Sequence, residues 1–218
     1  MSNVMTLFST PIYYHTDFCD VNKIHYTNKE QKEVDVNQRG NFITKNKYIL
    51  ECKSYKVIKD RILQGLENYT RNILHIDDSV DFYITQSWLN IIPPNTAHHL
   101  HVHSNSIISG VYYIDAPEDS SITFQTQSQG IFTDNPVFKL PIKEYNIINS
   151  GTWNYPVSVN SIIYFPSSTL HEVCVNTSKR NRISLAFNVF VKGEFGSDAE
   201  VNRLTLGEIP KNSWGINL

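Results

Sequence analysis

The sequence predicts a mainly β protein, a double-sheet jelly roll with a flanking α-helix, on three observations. Segments rich in β-branched and aromatic residues recur between Pro-, Gly- and Ser-bearing turns from residue 81 to 191, and their number, roughly eight, is that of a double-sheet jelly roll. A single stretch, 54–73, repeats its apolar residues at steps of three and four instead. At 218 residues, with 40% hydrophobic and 12% aromatic side chains, the chain is long enough for one substantial core, so one domain is expected over 1–218.

In chain order, Thr6–Tyr14 reads as a first strand broken by Pro11, which suits an edge or end position. Residues 17–46 are rich in Asn, Lys, Asp and Thr and read as a surface loop or ragged helix. From Ser54, a candidate N-cap, Tyr55, Ile58, Ile62, Leu66, Tyr69 and Ile73 line one face of an amphipathic helix, which Gly65 weakens by about 1 kcal/mol relative to alanine. That face is expected to pack on a sheet. Strands follow at 81–92, 106–114 and 121–126, with turns at Pro93-Pro94-Asn95 and 116–120. Residues 127–156 mix polar turns with short apolar pieces, the character of a rim or lid. Further strands are expected at 158–165, 172–176 and 182–191, and the tail 204–218 offers Trp214 for packing.

Composition narrows the function classes. A formal net charge of −2 supplies no general basic field, so nothing calls for nucleic acid or an anionic membrane. No stretch approaches the ~18 consecutive apolar residues of a membrane span, and the start has no leader pattern. Three cysteines, Cys19, Cys52 and Cys174, without CxxC spacing point to reduced thiols and a cytoplasmic location. The early strand edge offers a surface for a homodimer.

The chemistry concentrates in Ala97–Asp115, which sets His98, His99, His101 and His103 within six positions. On an extended strand His99, His101 and His103 share one face and His98 points to the other. Neutral imidazoles two residues apart close on one metal ion when a third ligand arrives from elsewhere. His171, after an apolar strand and a Pro/Ser turn, is the candidate. A His99/His101 pair has the same geometry as His101/His103 and stands in reserve.

Five blocks, Trp88-Leu-Asn90, His101-Val-His103-Ser-Asn-Ser, Ser109-Gly-Val-Tyr-Tyr113, Phe165-Pro-Ser-Ser-x-x-His171 and Arg182-Ile-Ser184-x-x-Phe187-Asn188, in this order resemble the 2-oxoglutarate/Fe(II) oxygenase family common in bacteria and marine phages, with likeness to prolyl-hydroxylase-type dioxygenases. The resemblance covers about 82–191 and implies a cupin-like double-stranded β-helix there, with 1–81 supplying a strand, a loop and a packing helix. It implies His101, His103 and His171 as iron ligands. It also implies Arg182, Ser184 and Tyr113 as holders of the far carboxylate of 2-oxoglutarate, with that cosubstrate decarboxylated to succinate as an unidentified substrate is hydroxylated. A planar guanidinium suits a carboxylate in a way lysine does not, and a hydroxyl two residues along shares its face. Trp88, Asn90 and Asn188 are candidates for the substrate pocket.

One departure stands out. The widespread ligand set of such enzymes is two histidines and a carboxylate, and histidine at 103 leaves the site one unit more positive. Two other classes therefore stay open: a three-histidine dioxygenase that uses no oxoacid, and a non-catalytic jelly-roll binding protein. Arg182-x-Ser184 favours the oxoacid-dependent enzyme, since the others need no carboxylate anchor on that strand.

Overall fold

The computed structural model of the chain describes residues 6–20, 31–37, 39–127 and 140–207. Among these the elements run β1 (Tyr13–His15), β2 (Val34–Val36), β3 (Phe42–Thr44), α1 (Lys56–Glu67), β4 (Asp81–Ile92), β5 (His98–His101), β6 (Ile108–Asp115), β7 (Ser121–Gln125), β8 (Thr152–Pro156), β9 (Ile162–Pro166), β10 (Leu170–Val173), β11 (Arg182–Phe195) and β12 (Leu204–Leu206). The larger sheet has the order β1-β9-β6-β11-β4-β3-β2, with β12 also paired to β11; the smaller is β5-β10-β7-β8. Every strand pair is antiparallel, and the architecture is the expected jelly roll.

The centre of the larger sheet is β11, paired with β4 from Arg182↔Ile92 to Lys192↔Asp81 and with β6 from Ile183↔Asp115 to Val189↔Ile108. Alternation along these strands makes two different faces. Leu89, Tyr112, Tyr164, Leu185 and Phe187 pack with Ile58, Ile62, Leu66 and Tyr69 of the helical segment as the main apolar core. The opposite face turns toward the smaller sheet and carries Tyr113, Ile163 and Phe165, packed with Ile122 and Phe124. Gly110 is required by this arrangement: a β-carbon there would overlap the ring of Phe187, its directly paired neighbour on β11.

Several boundaries differ from expectation. The first strand shrinks to 13–15 and pairs with β9 at the edge of the sheet. Within 17–46, the β2–β3 hairpin adds to β4, and Phe18, Cys19, Asn41 and Thr44 are buried. Ser54 does not cap the helix. It lies in the 3-10 turn Lys53–Tyr55, and Tyr55, fully buried, takes the N-cap position without a side-chain hydrogen bond, so burial fixes this helix start. Nor is Gly65 a simple weakness, because a β-carbon there would overlap the Tyr164 hydroxyl, which donates to Ile62 O at 3.0 Å. Past Glu67 the helix continues as a π-helical turn over Asn68–Ile73.

Residues 127–156 end in strand β8, paired along β7. Residues 128–139 of that rim and the tail with Trp214 lie outside the described residues. The strand expected at 172–176 occupies Leu170–Val173, so His171 lies within it, and β11 runs four residues beyond the expected 191. Among the described residues no helix is long and apolar enough to cross a membrane.

Candidate metal centre

β5 and β10 pair with His101 directly opposite His171, which brings two histidines distant in sequence to one point of the smaller sheet. His103 lies just past the end of β5. Its backbone N–H donates to Ser167 O at 3.0 Å, which turns the chain toward β6. The ligand nitrogens of His101, His103 and His171 all lie within 4.8 Å of one another, and His103 Nε2 stands 3.3 Å from His171 Nε2.

Hydrogen bonding fixes which nitrogen each ring presents. His101 Nδ1 donates to His99 O at 2.7 Å and His171 Nδ1 to Thr169 O at 2.8 Å. His103 Nδ1 donates to Asn188 Oδ1 at 2.6 Å. Each Nε2 is then left as a bare acceptor, the tautomer a metal needs. Two such lone pairs facing at 3.3 Å repel one another unless a cation lies between them. Two nitrogens held at 2.0–2.1 Å by one tetrahedral ion stand about 3.3 Å apart.

Burial, acting with the neighbouring His101, pushes the pKa of His103 down to about 4 and that of His171 down to about 3. Burial also lowers His101. All three therefore rest in the neutral, ligating form. Phe165 packs edge-on against His171 at 4.7 Å between centroids, and Trp88 stacks on His103 at 5.8 Å. No carboxylate belongs to this cluster or to the second group of converging ligand atoms among the described residues; Asp115 Oδ1 instead pairs with Arg180 at 3.5 Å.

A polar network backs the centre. Asn188 Oδ1 also accepts from Ser109 Oγ at 3.0 Å, Ser109 lies 2.8 Å from Ser167 Oγ, and Ser167 donates to Ser106 Oγ at 2.7 Å. Ser106, Ser109 and Ser167 were missed as supporting residues. Their signal lay in the Ser-rich turns beside both histidine blocks, where serine reads equally well as turn chemistry.

The inner face of the larger sheet carries the other candidate residues. Asn90, Ser184 and Tyr113 are directly paired across β4, β11 and β6, so they form one row on one face, with Arg182 two residues on. Arg182 is 3% exposed, and its guanidinium lies over the Tyr113 ring, 5.1 Å from the centroid. Nε and Nη1 of Arg182, the Tyr113 hydroxyl and Asn90 Oδ1 are buried without a well-formed hydrogen bond. Arg182 and Tyr113 interact as close electrostatic neighbours, and among the described residues no carboxylate pairs with Arg182. Burial lowers the pKa of Arg182 and raises that of Tyr113. A buried guanidinium without an anionic partner is costly, and a bound anion would offset that cost.

The structure thus brings together the metal candidates His101, His103 and His171, and it sets Arg182, Ser184, Tyr113 and Asn90 on one inner face. Trp88 flanks the centre, and Asn188 holds His103. Alternation had sent His98 to the opposite face, and here the structure differs. Between His171↔His101 and Val173↔His98 the register shifts, three steps on β5 against two on β10. The extra residue breaks the two-residue period, and the His98 ring stacks on His101 at 4.5 Å.

The family model described as "Putative 2OG-Fe(II) oxygenase" matches residues 86–188, which contain all five sequence blocks. No curated protein matches. Among solved structures, the chain is similar to a prolyl-4-hydroxylase from Pseudomonas putida at 14% identity, covering 83% of this chain and 92% of that one with a TM-score of 0.55. It is similar to HygX from Streptomyces hygroscopicus with nickel, 2-oxoglutarate and hygromycin B bound, at 11% identity, 83% and 82% coverage and a TM-score of 0.53. A third is the non-heme alpha ketoglutarate dependent epimerase SnoN from nogalamycin biosynthesis, at 12% identity, 83% and 78% coverage and a TM-score of 0.58.

Proposed function

We propose that this chain is an Fe(II)- and 2-oxoglutarate-dependent oxygenase that hydroxylates a substrate, with 2-oxoglutarate converted to succinate. The match to the oxygenase family model over 86–188 supports the class. The observation that carries the reading is the pairing of two features on facing sheets: three histidines converging through bare Nε2 atoms, and a buried arginine with no carboxylate partner among the described residues, set against a buried tyrosine hydroxyl that makes no well-formed hydrogen bond. A dicarboxylic oxoacid has one end to offer each.

His101, His103 and His171 would hold the iron, and the iron would supply the activation of O2. Arg182 and Tyr113 would bind the far carboxylate of 2-oxoglutarate through the groups that make no well-formed hydrogen bond, with Ser184 and Asn90 in the same row orienting it. Asn188 keeps the proton of His103 on Nδ1, so Nε2 stays free for the metal. Trp88, Phe124 and Phe165 line the histidines with aromatic surface that excludes water. With three neutral ligands, the positive charge at the metal is offset by the oxoacid and not by a protein carboxylate.

Anaerobic titration of the iron-loaded protein with 2-oxoglutarate tests this, read by the visible charge-transfer band that an oxoacid produces on ferrous iron. The band should appear with the wild-type protein and weaken strongly in Arg182→Met. Iron binding without any band at saturating oxoacid would favour a three-histidine dioxygenase without oxoacid, and absence of iron binding would reduce the histidines to structure.

A further inference from the structure

The bulge in β5 creates a second group of converging ligand atoms. His98, His99 and His101 also have their ligand nitrogens within 4.8 Å of one another. Their ring centroids are separated by 5.1 Å (98 to 99), 4.5 Å (98 to 101) and 5.0 Å (99 to 101). The corresponding separations in the inner triad are 5.1 Å (101 to 103), 4.4 Å (101 to 171) and 5.1 Å (103 to 171). The outer group therefore reproduces the spacing of the inner one.

Two further observations point to a ligand. His99 Nδ1 is buried without a hydrogen-bond partner, so one donor nitrogen is desolvated and unused. His98 is 9% exposed, and its Nε2 faces the Asn37 amide at 3.5 Å, long for a hydrogen bond. A strand with strict alternation would have kept adjacent His98 and His99 on opposite faces. The extra residue in β5 puts both within reach of His101.

We infer that His98, His99 and His101 form a second metal-binding triad, for a divalent ion that prefers imidazole nitrogen, such as Zn2+, Ni2+ or Cu2+. Its relation to the inner triad follows from His101. The Nδ1 of His101 is tied to the His99 carbonyl, which leaves a single Nε2 for two sites. The triads are therefore alternatives. An ion held by the outer one takes His101 from the inner one, and excess zinc or nickel competes with filling of the inner centre through a shared ligand. This holds whether or not the chain is an oxoacid-dependent enzyme.

The test uses the full chain with Zn2+ alone and reads bound metal per chain by equilibrium dialysis, with circular dichroism to establish folding. The double variant His103→Ala/His171→Ala destroys the inner triad and should still bind one zinc ion. Adding His98→Ala and His99→Ala should abolish that binding. Should the alanine pair fail to fold, His103→Gln/His171→Gln fills the same space and is read in the same way. A folded inner-triad variant that binds no zinc overturns the inference, as does zinc binding that survives removal of His98 and His99. Failure of the oxygenase reading would show separately, in the wild-type protein, as the missing band with 2-oxoglutarate.

Discussion

The two faces of the larger sheet are made from the same strands and treat their polar groups in opposite ways. On the outer face, against the helix, three buried tyrosines make hydrogen bonds: Tyr164 donates to Ile62 O at 3.0 Å, Tyr69 to Pro11 O at 2.8 Å and Tyr112 to Asn160 Oδ1 at 3.0 Å. On the inner face, Tyr113, Arg182 and Asn90 are as deeply buried, and polar atoms of each lack partners. The residue after Tyr112 thus has the same side chain, but its hydroxyl lies against the Arg182 guanidinium without a well-formed hydrogen bond. Under the proposed function a ligand would satisfy these inner-face atoms, and buried polar groups left open are where binding should be sought.

The largest effect that separates the faces is loss of a ligand. His171→Ala should abolish iron binding and turnover while leaving the outer core intact; metal analysis after dialysis checks this, and wild-type iron content in the variant would break the assignment. On the outer face, Phe187→Ala should lower stability by about 3–5 kcal/mol, with iron and oxoacid affinity of the folded fraction unchanged. Denaturant melts paired with metal titration separate the two outcomes.

Arg182→Met should raise the 2-oxoglutarate concentration needed for half-saturation by roughly 100-fold, as expected when one partner of a buried charge pair is lost. Without ligand it should melt no lower than the wild type, since an unpaired buried charge is removed. A clear fall in the unliganded melting temperature would show that Arg182 belongs to the structural face after all.

Acid should also distinguish the regions. His98 and His171 have pKa values of about 3 in the folded protein, below the ordinary 6.5, because burial disfavours their charged forms. The unfolded chain therefore binds more protons between these values, and stability is lost as the pH falls below about 6.5. By pH 5 the loss is roughly 2 kcal/mol for each of the two. His98→Ala should flatten that slope in denaturant melts of the metal-free protein. The smallest effect is Gly65→Ala. Helix propensity favours alanine by about 1 kcal/mol, but the clash with Tyr164 should reverse the sign and lower stability by about 1–3 kcal/mol.

Much of this is legible in the sequence. The strand 81–92 has the bounds that its pattern gave, because β4 is a long run of mostly β-branched and aromatic residues that pairs with β11 from end to end. The spacing of His101, His103 and His171 around an apolar strand and a turn was enough to nominate three residues that the fold then brings together. The β2–β3 hairpin was not legible, since its three-residue strands owe their conformation to pairing with β4 and not to their own pattern. Strand β8 was hidden likewise, a mostly exposed edge segment that follows the ladder of β7.

By itself the sequence determined the β class, the helix face, the histidine cluster and the placement of Arg182, Ser184 and Asn188 on one side of a strand, because periodicity and residue chemistry are local properties. The tertiary structure alone decided that His98 joins His101, that Ser109 and Ser167 support Asn188, and that Arg182 has no anionic partner among the described residues. Each of these depends on a register shift or on a neighbour from a distant strand, and no local pattern encodes the absence of a partner.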